Sequence, residues 1–307
     1  MNPSDPHPPA SEPTPRRIEA RPSEVGSIIL RRAVPSRALR SVGAWCFLDH
    51  AGPAQFAPGQ GMHVGPHPHI GLQTFTWMIE GELMHRDSLG SEQLIRAGQV
   101  NLMTAGRGIV HSEDQVGDGG ALHAAQMWIA LPDAERERAP AFQHYPELPL
   151  IERDGVTITL LVGEVLGERS PVQVFTPLVG LDLATRREAQ TTLPLAPAFE
   201  HAVLVLRGSA TVAGEALQPG TLLDLGRGRS SVAMQLAADS QMLLLGGEPF
   251  GPAPLLWWNF VARTQAEIEQ ALADWNSGSA RFGAVPGAGS ARLVAPPLAG
   301  LRLKAGR

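Results

Sequence analysis

The chain has 307 residues, 43% of them hydrophobic, which is enough to bury one large core or two ordinary ones. With 25 Lys and Arg against 30 Asp and Glu the formal net charge is −5, and basic residues cluster no further than pairs such as Arg31-Arg32, which disfavours direct nucleic-acid binding. A single cysteine, Cys46, rules out an internal disulfide and thiolate zinc sites, and no apolar run is long enough to span a membrane, so a cytoplasmic location is expected.

The amino terminus, MNPSDPHPPASEPTPRR, is proline-rich and polar without the apolar centre of a secretory signal, and reads as a disordered arm over residues 1–23. From about residue 24 to 145 come short β-type segments, SIILRRAV, WCFLDH, LQTFTWMI, EQLIRA, QVNLMT and HAAQMWIAL, punctuated by Gly, Pro, Asp and Asn. Such spacing predicts an antiparallel sandwich or barrel. Cys46 lies among apolar neighbours as a small buried hydrophobe. The stretch PDAERERAPAFQHYPELP from Pro132 reads as a linker or an excursion between two halves.

Residues 146–250 repeat the pattern. HAVLVLRGSATVAGEALQPGTLLDL and TFTWMIEGELMHRDSLGSEQLIRAGQVNLMT both run strand, Gly turn, strand, polar turn, strand, Gly, strand, which points to a duplicated β-unit. In the extension 251–307, RTQAEIEQALADWNSG places Ile268, Leu272 and Trp275 at helical spacing, with Thr264 to cap and Gly278 to stop. The remainder is rich in Gly, Pro and Ala and is expected to be irregular. Trp257 and Trp258 beside Phe260 lack an accompanying basic patch, so core or inter-barrel packing is the expectation for them.

Six of the ten histidines fall between residues 63 and 123. In GPHPHIGLQTF, His67 and His69 are two apart, so on a strand both rings project from one face. TAGRGIVHSEDQ repeats that arrangement with His111 and Glu113. Two facing strands could present all four to one metal ion, and three imidazoles with a carboxylate suit Fe(II), Mn(II), Ni(II), Cu(II) or Zn(II). His63 falls outside this register. His85 reads as a strand-end histidine or an orienting partner of a ligand; His50 and His123 read as structural. Gly106 and Gly108 serve a tight turn, and Arg107 between them is expected to be solvated or ion-paired.

These segments resemble a known family. Gly61, five residues, then His-x-His fits the first cupin motif, and the sixteen residues between Gly81 and Gly98 fit a short inter-motif loop. FLDHAGP, HVGPHPHIGLQTFTWMIEGELMHRDSLG, AGQVNLMTAGRGIVHSE and GGEPFGPAPLLWWNF are similar to the pirin branch of the cupins, over roughly residues 24–276. The resemblance implies an all-β bicupin, two tandem antiparallel jelly-roll barrels with a short C-terminal helix. It also implies a mononuclear iron in the first barrel held by His67, His69, His111 and Glu113, with no metal in the second, where only His201 stands at the comparable place. Gln73 replaces the glutamate of many cupins, consistent with a carboxylate taken from the second motif. Two functions follow from the likeness. One is a quercetin 2,3-dioxygenase-type enzyme acting on an aromatic substrate and dioxygen, with Glu113 as ligand or transient base and Met62, Val64, Phe75 and Met103 around the substrate. The other is a metal-dependent, redox-responsive regulator that binds a transcription factor or a metabolic enzyme. A zinc or nickel cupin isomerase or sugar-binding module is a third reading.

Overall fold

A computed structural model describes residues 13–25, 28–251, 253–288, 291–298 and 300–304. The first half holds β1 (Arg16–Glu19), β2 (Arg21–Val25), β3 (Ile28–Val34), β4 (Trp45–Phe56), β5 (His63–His69), β6 (Leu72–Glu80), β7 (Glu82–Asp87), β8 (Glu92–Arg96), β9 (Val100–Thr104), β10 (Ile109–Gln115), β11 (Gly120–Ala130) and β12 (Ala141–Tyr145). The second holds β13 (Leu150–Arg153), β14 (Val156–Val162), β15 (Glu164–Val165), β16 (Glu168–Arg169), β17 (Leu178–Ala184), β18 (Ala189–Pro194), β19 (Glu200–Arg207), β20 (Ala210–Val212), β21 (Glu215–Leu217), β22 (Thr221–Arg227), β23 (Ser231–Leu236) and β24 (Gln241–Gly247). The hairpin β25 (Leu255–Trp257) and β26 (Phe260–Ala262) and the helix α1 (Gln265–Ser277) follow.

Each half pairs a seven-stranded sheet with a four-stranded one: β12-β9-β6-β11-β4-β3-β2 with β5-β10-β7-β8, and β1-β22-β19-β24-β17-β14-β13 with β18-β23-β20-β21. This is the tandem antiparallel cupin architecture that the sequence resemblance implies. The two large sheets face one another across an apolar layer in which Trp45, Phe75 and Trp77 of the first unit meet Leu204, Leu222 and Leu243 of the second. Alternation explains the layer: on β6, Phe75 and Trp77 point toward the second unit while Thr76 points into the first, where its hydroxyl meets Glu113.

The disordered arm expected over residues 1–23 is corrected from Arg16 onward, residues 1–12 lying outside the described ones. β1 pairs with β22 of the second unit, buries Ile18 and bonds Arg16 to Asp224, while β2 turns back to pair with β3 of the first. One apolar residue and a free sheet edge suffice to order a short polar segment that lacks its own periodicity. Likewise Ala141–Tyr145, inside the stretch read as a linker, extends the first unit's sheet by pairing with β9.

The helix stands where the spacing predicts it. Thr264 Oγ1 accepts from the Glu267 N–H, the Glu267 carboxylate accepts from the Arg263 N–H, and Gly278 closes the C-terminus at φ +72°. Ile268, Leu272 and Trp275 pack with Phe260, Ile70 and Val110. The extension is thereby fixed against the end of the first unit from which β5 and β10 emerge.

Candidate metal centre

β5 is an edge strand, hydrogen-bonded on one side to β10. That explains how its HVGPHPH segment tolerates two prolines: an N–H missing from an edge strand leaves no gap in a central ladder. On the open side, Pro66 O accepts from the Leu293 N–H of the C-terminal extension. Antiparallel pairing sets His111 opposite His67 and Ile109 opposite His69, and a register shift between His111 and Glu113 re-aims the carboxylate. Behind β5 the chain reverses through Gly71 at φ +68°, where a Cβ would lie 2.1 Å from Val261 O. At Gly106, φ +51°, it would lie as close to Arg138 O, so the tight turn expected there requires glycine.

His67, His69 and His111 each turn one ring nitrogen to a common point, these atoms lying within 4.8 Å of one another. All three rings are buried. His67 Nδ1–H donates to Gly65 O at 2.8 Å and His69 Nδ1–H donates to Asn259 O at 3.1 Å, which leaves the Nε2 lone pair of each for the cavity. His69 Nε2 faces His111 Nε2 at 3.0 Å. Burial lowers the pKa of His67 to about 4 and those of His69 and His111 well below the usual imidazole range, so all three are neutral at pH 7. Three neutral imidazoles directed at one point form an electron-rich spot that a divalent cation fits.

Glu113 belongs to a second, overlapping cluster with His85 and His111, whose ligand-type atoms also lie within 4.8 Å of one another. It lines the same cavity as the three histidines. Burial raises its pKa, offset in part by His85 and by Thr76, whose hydroxyl is 3.5 Å from Oε1. Among the described residues, both clusters of ligand type lie in the first unit. His201 of the second unit is buried and packs beside Phe199.

His67, His69, His111 and Glu113 line a cavity of about 420 Å³. Phe47 and Trp128, stacked at 3.8 Å, form one wall, Leu256, Trp258 and Leu293 of the extension another, and Arg32, Asp49 and Gln126 a polar rim. Arg32 holds Asp49 through two hydrogen bonds of 2.8 and 2.7 Å while its guanidinium lies 4.4 Å over the Phe47 ring.

Of the apolar residues expected around a substrate, Val64 alone lines this cavity. Phe75 sits in the layer between the units, and Met62 and Met103 pack in other apolar clusters. Trp257 and Trp258 pack on the helix cluster rather than between the barrels, and Trp258 also reaches the cavity. Nothing in the local pattern marks Phe47 and Trp128 as cavity walls, and Leu293 lies in the tail expected to be irregular. Gln73 lies on the opposite face of its strand from the ligands, donating to Thr104 Oγ1 and Gln173 O. His63 is half-exposed and faces Asp114, while His50 and His123 meet Nε2 to Nε2 at 2.8 Å away from the cluster. Arg107 is exposed, its carbonyl accepting from Arg281.

The pirin family model matches residues 27–129, and that of the pirin C-terminal cupin domain matches residues 180–283. The chain belongs to the pirin family. A Caulobacter vibrioides pirin-like protein is 41% identical over 85% of this chain and 92% of its own length. A Pseudomonas aeruginosa relative, provisionally named a quercetin 2,3-dioxygenase, is 51% identical over 92% of this chain and 90% of its own. The crystal structure of a quercetin 2,3-dioxygenase from Acinetobacter baumannii is similar at a TM-score of 0.92 and 50% identity, covering 94% of this chain and 97% of that one. In this pirin the histidine cluster has the donor set to hold a divalent metal ion. Among the described residues no helix is long and apolar enough to cross a membrane.

Proposed function

We propose that this pirin is a mononuclear iron dioxygenase acting on a flavonol-type aromatic substrate, with Fe(II) held by His67, His69, His111 and Glu113. The observation that carries the reading is the convergence of three neutral, buried imidazoles at a cavity of about 420 Å³ walled by stacked aromatic rings. The names carried by the relatives from P. aeruginosa and A. baumannii support the same substrate class.

Bound there, the metal supplies Lewis acidity toward a substrate hydroxyl and one-electron chemistry with dioxygen. The protein supplies the rest. Phe47 and Trp128 offer an apolar face to a flat ring system, and the Arg32–Asp49 pair and Gln126 provide polar contacts for ring hydroxyls at the rim. When its carboxylate is released from the metal, Glu113, whose pKa burial raises in the metal-free site, would be suited to take the proton from a substrate hydroxyl. Its neighbour Thr76 already donates to Gln126 Oε1 at 2.8 Å, which limits its capacity to satisfy the carboxylate and leaves Glu113 able to accept that proton.

The test is anaerobic addition of quercetin to Fe(II)-loaded protein followed by air. Oxygen consumption with release of carbon monoxide is expected. Coordination of quercetin, seen in the optical spectrum, with no oxygen uptake would overturn the enzymatic reading and favour a metal-dependent regulator.

A further inference from the structure

The three imidazoles differ in what fixes them. His67 and His69 donate their Nδ1 protons to backbone carbonyls, which can only accept. The Nδ1 of His111 instead faces the Nδ1 of His85 at 3.3 Å, and an imidazole nitrogen can either donate or accept. The polarity of that contact decides which nitrogen of His111 bears the lone pair.

Asp87 sets that polarity. It is fully buried, and its Oδ1 accepts from the Leu89 and Ser91 N–H groups at 2.9 and 3.1 Å, so this oxygen is committed to the turn after β7. Its Oδ2 is 3.1 Å from His85 Nε2 and can only accept. With His85 neutral, the Nε2–H donated to Asp87 leaves its lone pair on Nδ1, His111 donates Nδ1–H to it, and the lone pair of His111 is left on Nε2, the atom that faces His69. Phe142 stacks on the His85 ring at 4.4 Å and holds its plane.

We propose that Asp87 and His85 are positioning residues that lock His111 in the metal-binding tautomer through a chain of hydrogen bonds running from the turn after β7 to the cluster. The inference rests on the reading of His111 as a metal ligand and adds two residues that need not touch the metal.

The chain makes a prediction that runs against side-chain size. In Asp87→Asn the amide oxygen must face the two N–H donors of the turn, so the NH₂ faces His85 Nε2 and donates to it. His85 then bears its proton on Nδ1, His111 must accept it, and a proton occupies the nitrogen that should bind metal. Asp87→Ala imposes no such inversion, because His85 keeps a free choice of tautomer.

The experiment is titration of the full-length protein and both variants with Co(II), following the visible bands and competing with a chelator. The expected order of affinity is native, then Asp87→Ala, then Asp87→Asn, with the last weakened about 10- to 100-fold. Native-like affinity in Asp87→Asn, or weaker binding in Asp87→Ala than in Asp87→Asn, would overturn the proposal. Absence of Co(II) binding by the native protein would instead overturn the metal-site reading and the present inference with it, so the two failures are distinguishable. Should Asp87→Asn not fold, imidazole ¹⁵N shifts of the Zn(II)-loaded native protein decide: His85 protonated on Nε2 and bare on Nδ1 is expected, and the reverse tautomer would refute the proposal.

Discussion

The indole N–H of Trp77 in the first unit donates to Asp182 Oδ2 in the second at 3.0 Å, across the apolar layer that joins the barrels. Gln241 donates to both oxygens of the same carboxylate. Burial nonetheless raises the Asp182 pKa from 3.8 to about 6, its bonds to Gln241 and Trp77 offsetting part of the cost. Because the folded value lies above the unfolded one, the contribution to stability is fully present below pH 3.8 and is lost as pH rises through about 6. In Asp182→Asn that loss disappears. The variant's stability relative to the native protein should rise between pH 4 and 7 by on the order of 3 kcal/mol, measured by denaturant unfolding at each pH. A constant difference across that range would refute the assignment.

Gln73 occupies the place of a carboxylate ligand in many cupins, yet its amide donates to Thr104 Oγ1 at 3.0 Å and to Gln173 O at 3.2 Å. Gln73→Glu would bury a carboxylate against a carbonyl oxygen. A loss of about 3 kcal/mol in unfolding free energy is expected, with metal stoichiometry unchanged. A gain in metal affinity would mean that this strand presents its other face to the cavity.

Phe47 stacks on Trp128 and lies under Arg32, so it is the wall residue best placed to define a flat site. Phe47→Leu should weaken anaerobic quercetin binding about fivefold to tenfold while leaving the metal in place. Calorimetric titration of the metal-loaded variant checks this, and an unchanged affinity would place the substrate elsewhere.

Removing the metal should lower the melting temperature without abolishing the fold, since each unit buries its own apolar clusters. At a free metal concentration 100 times Kd, binding contributes about 2.7 kcal/mol. Calorimetric scans with and without a chelator test this: a melting temperature unaffected by metal would contradict binding to the folded state.

The repeated strands, the helix and the histidine pairs were legible because period-two and helical patterns and the i, i+2 spacing are local properties of the chain. What the sequence concealed depends on contacts distant along it. Ile18 gains its burial from β22, more than 200 residues away, so an Arg-rich segment reads as disordered until its sheet edge is known. Asn259 fixes His69 through a backbone carbonyl, which no residue type advertises. Phe47 and Trp128 pair directly and share the cavity face with Asp49 and Gln126, while Leu48 and Met127 between them face the layer that joins the units, and only the packed fold shows which face of β4 and β11 fronts the cavity.

Binding of one metal ion at the three imidazoles is tested most directly by anomalous diffraction from crystals of Fe(II)-loaded protein. A single iron peak about 2.1 Å from Nε2 of His67, His69 and His111, with the Glu113 carboxylate completing the set, is the predicted result. No peak in the first barrel, or one centred on the His50–His123 pair, would contradict it.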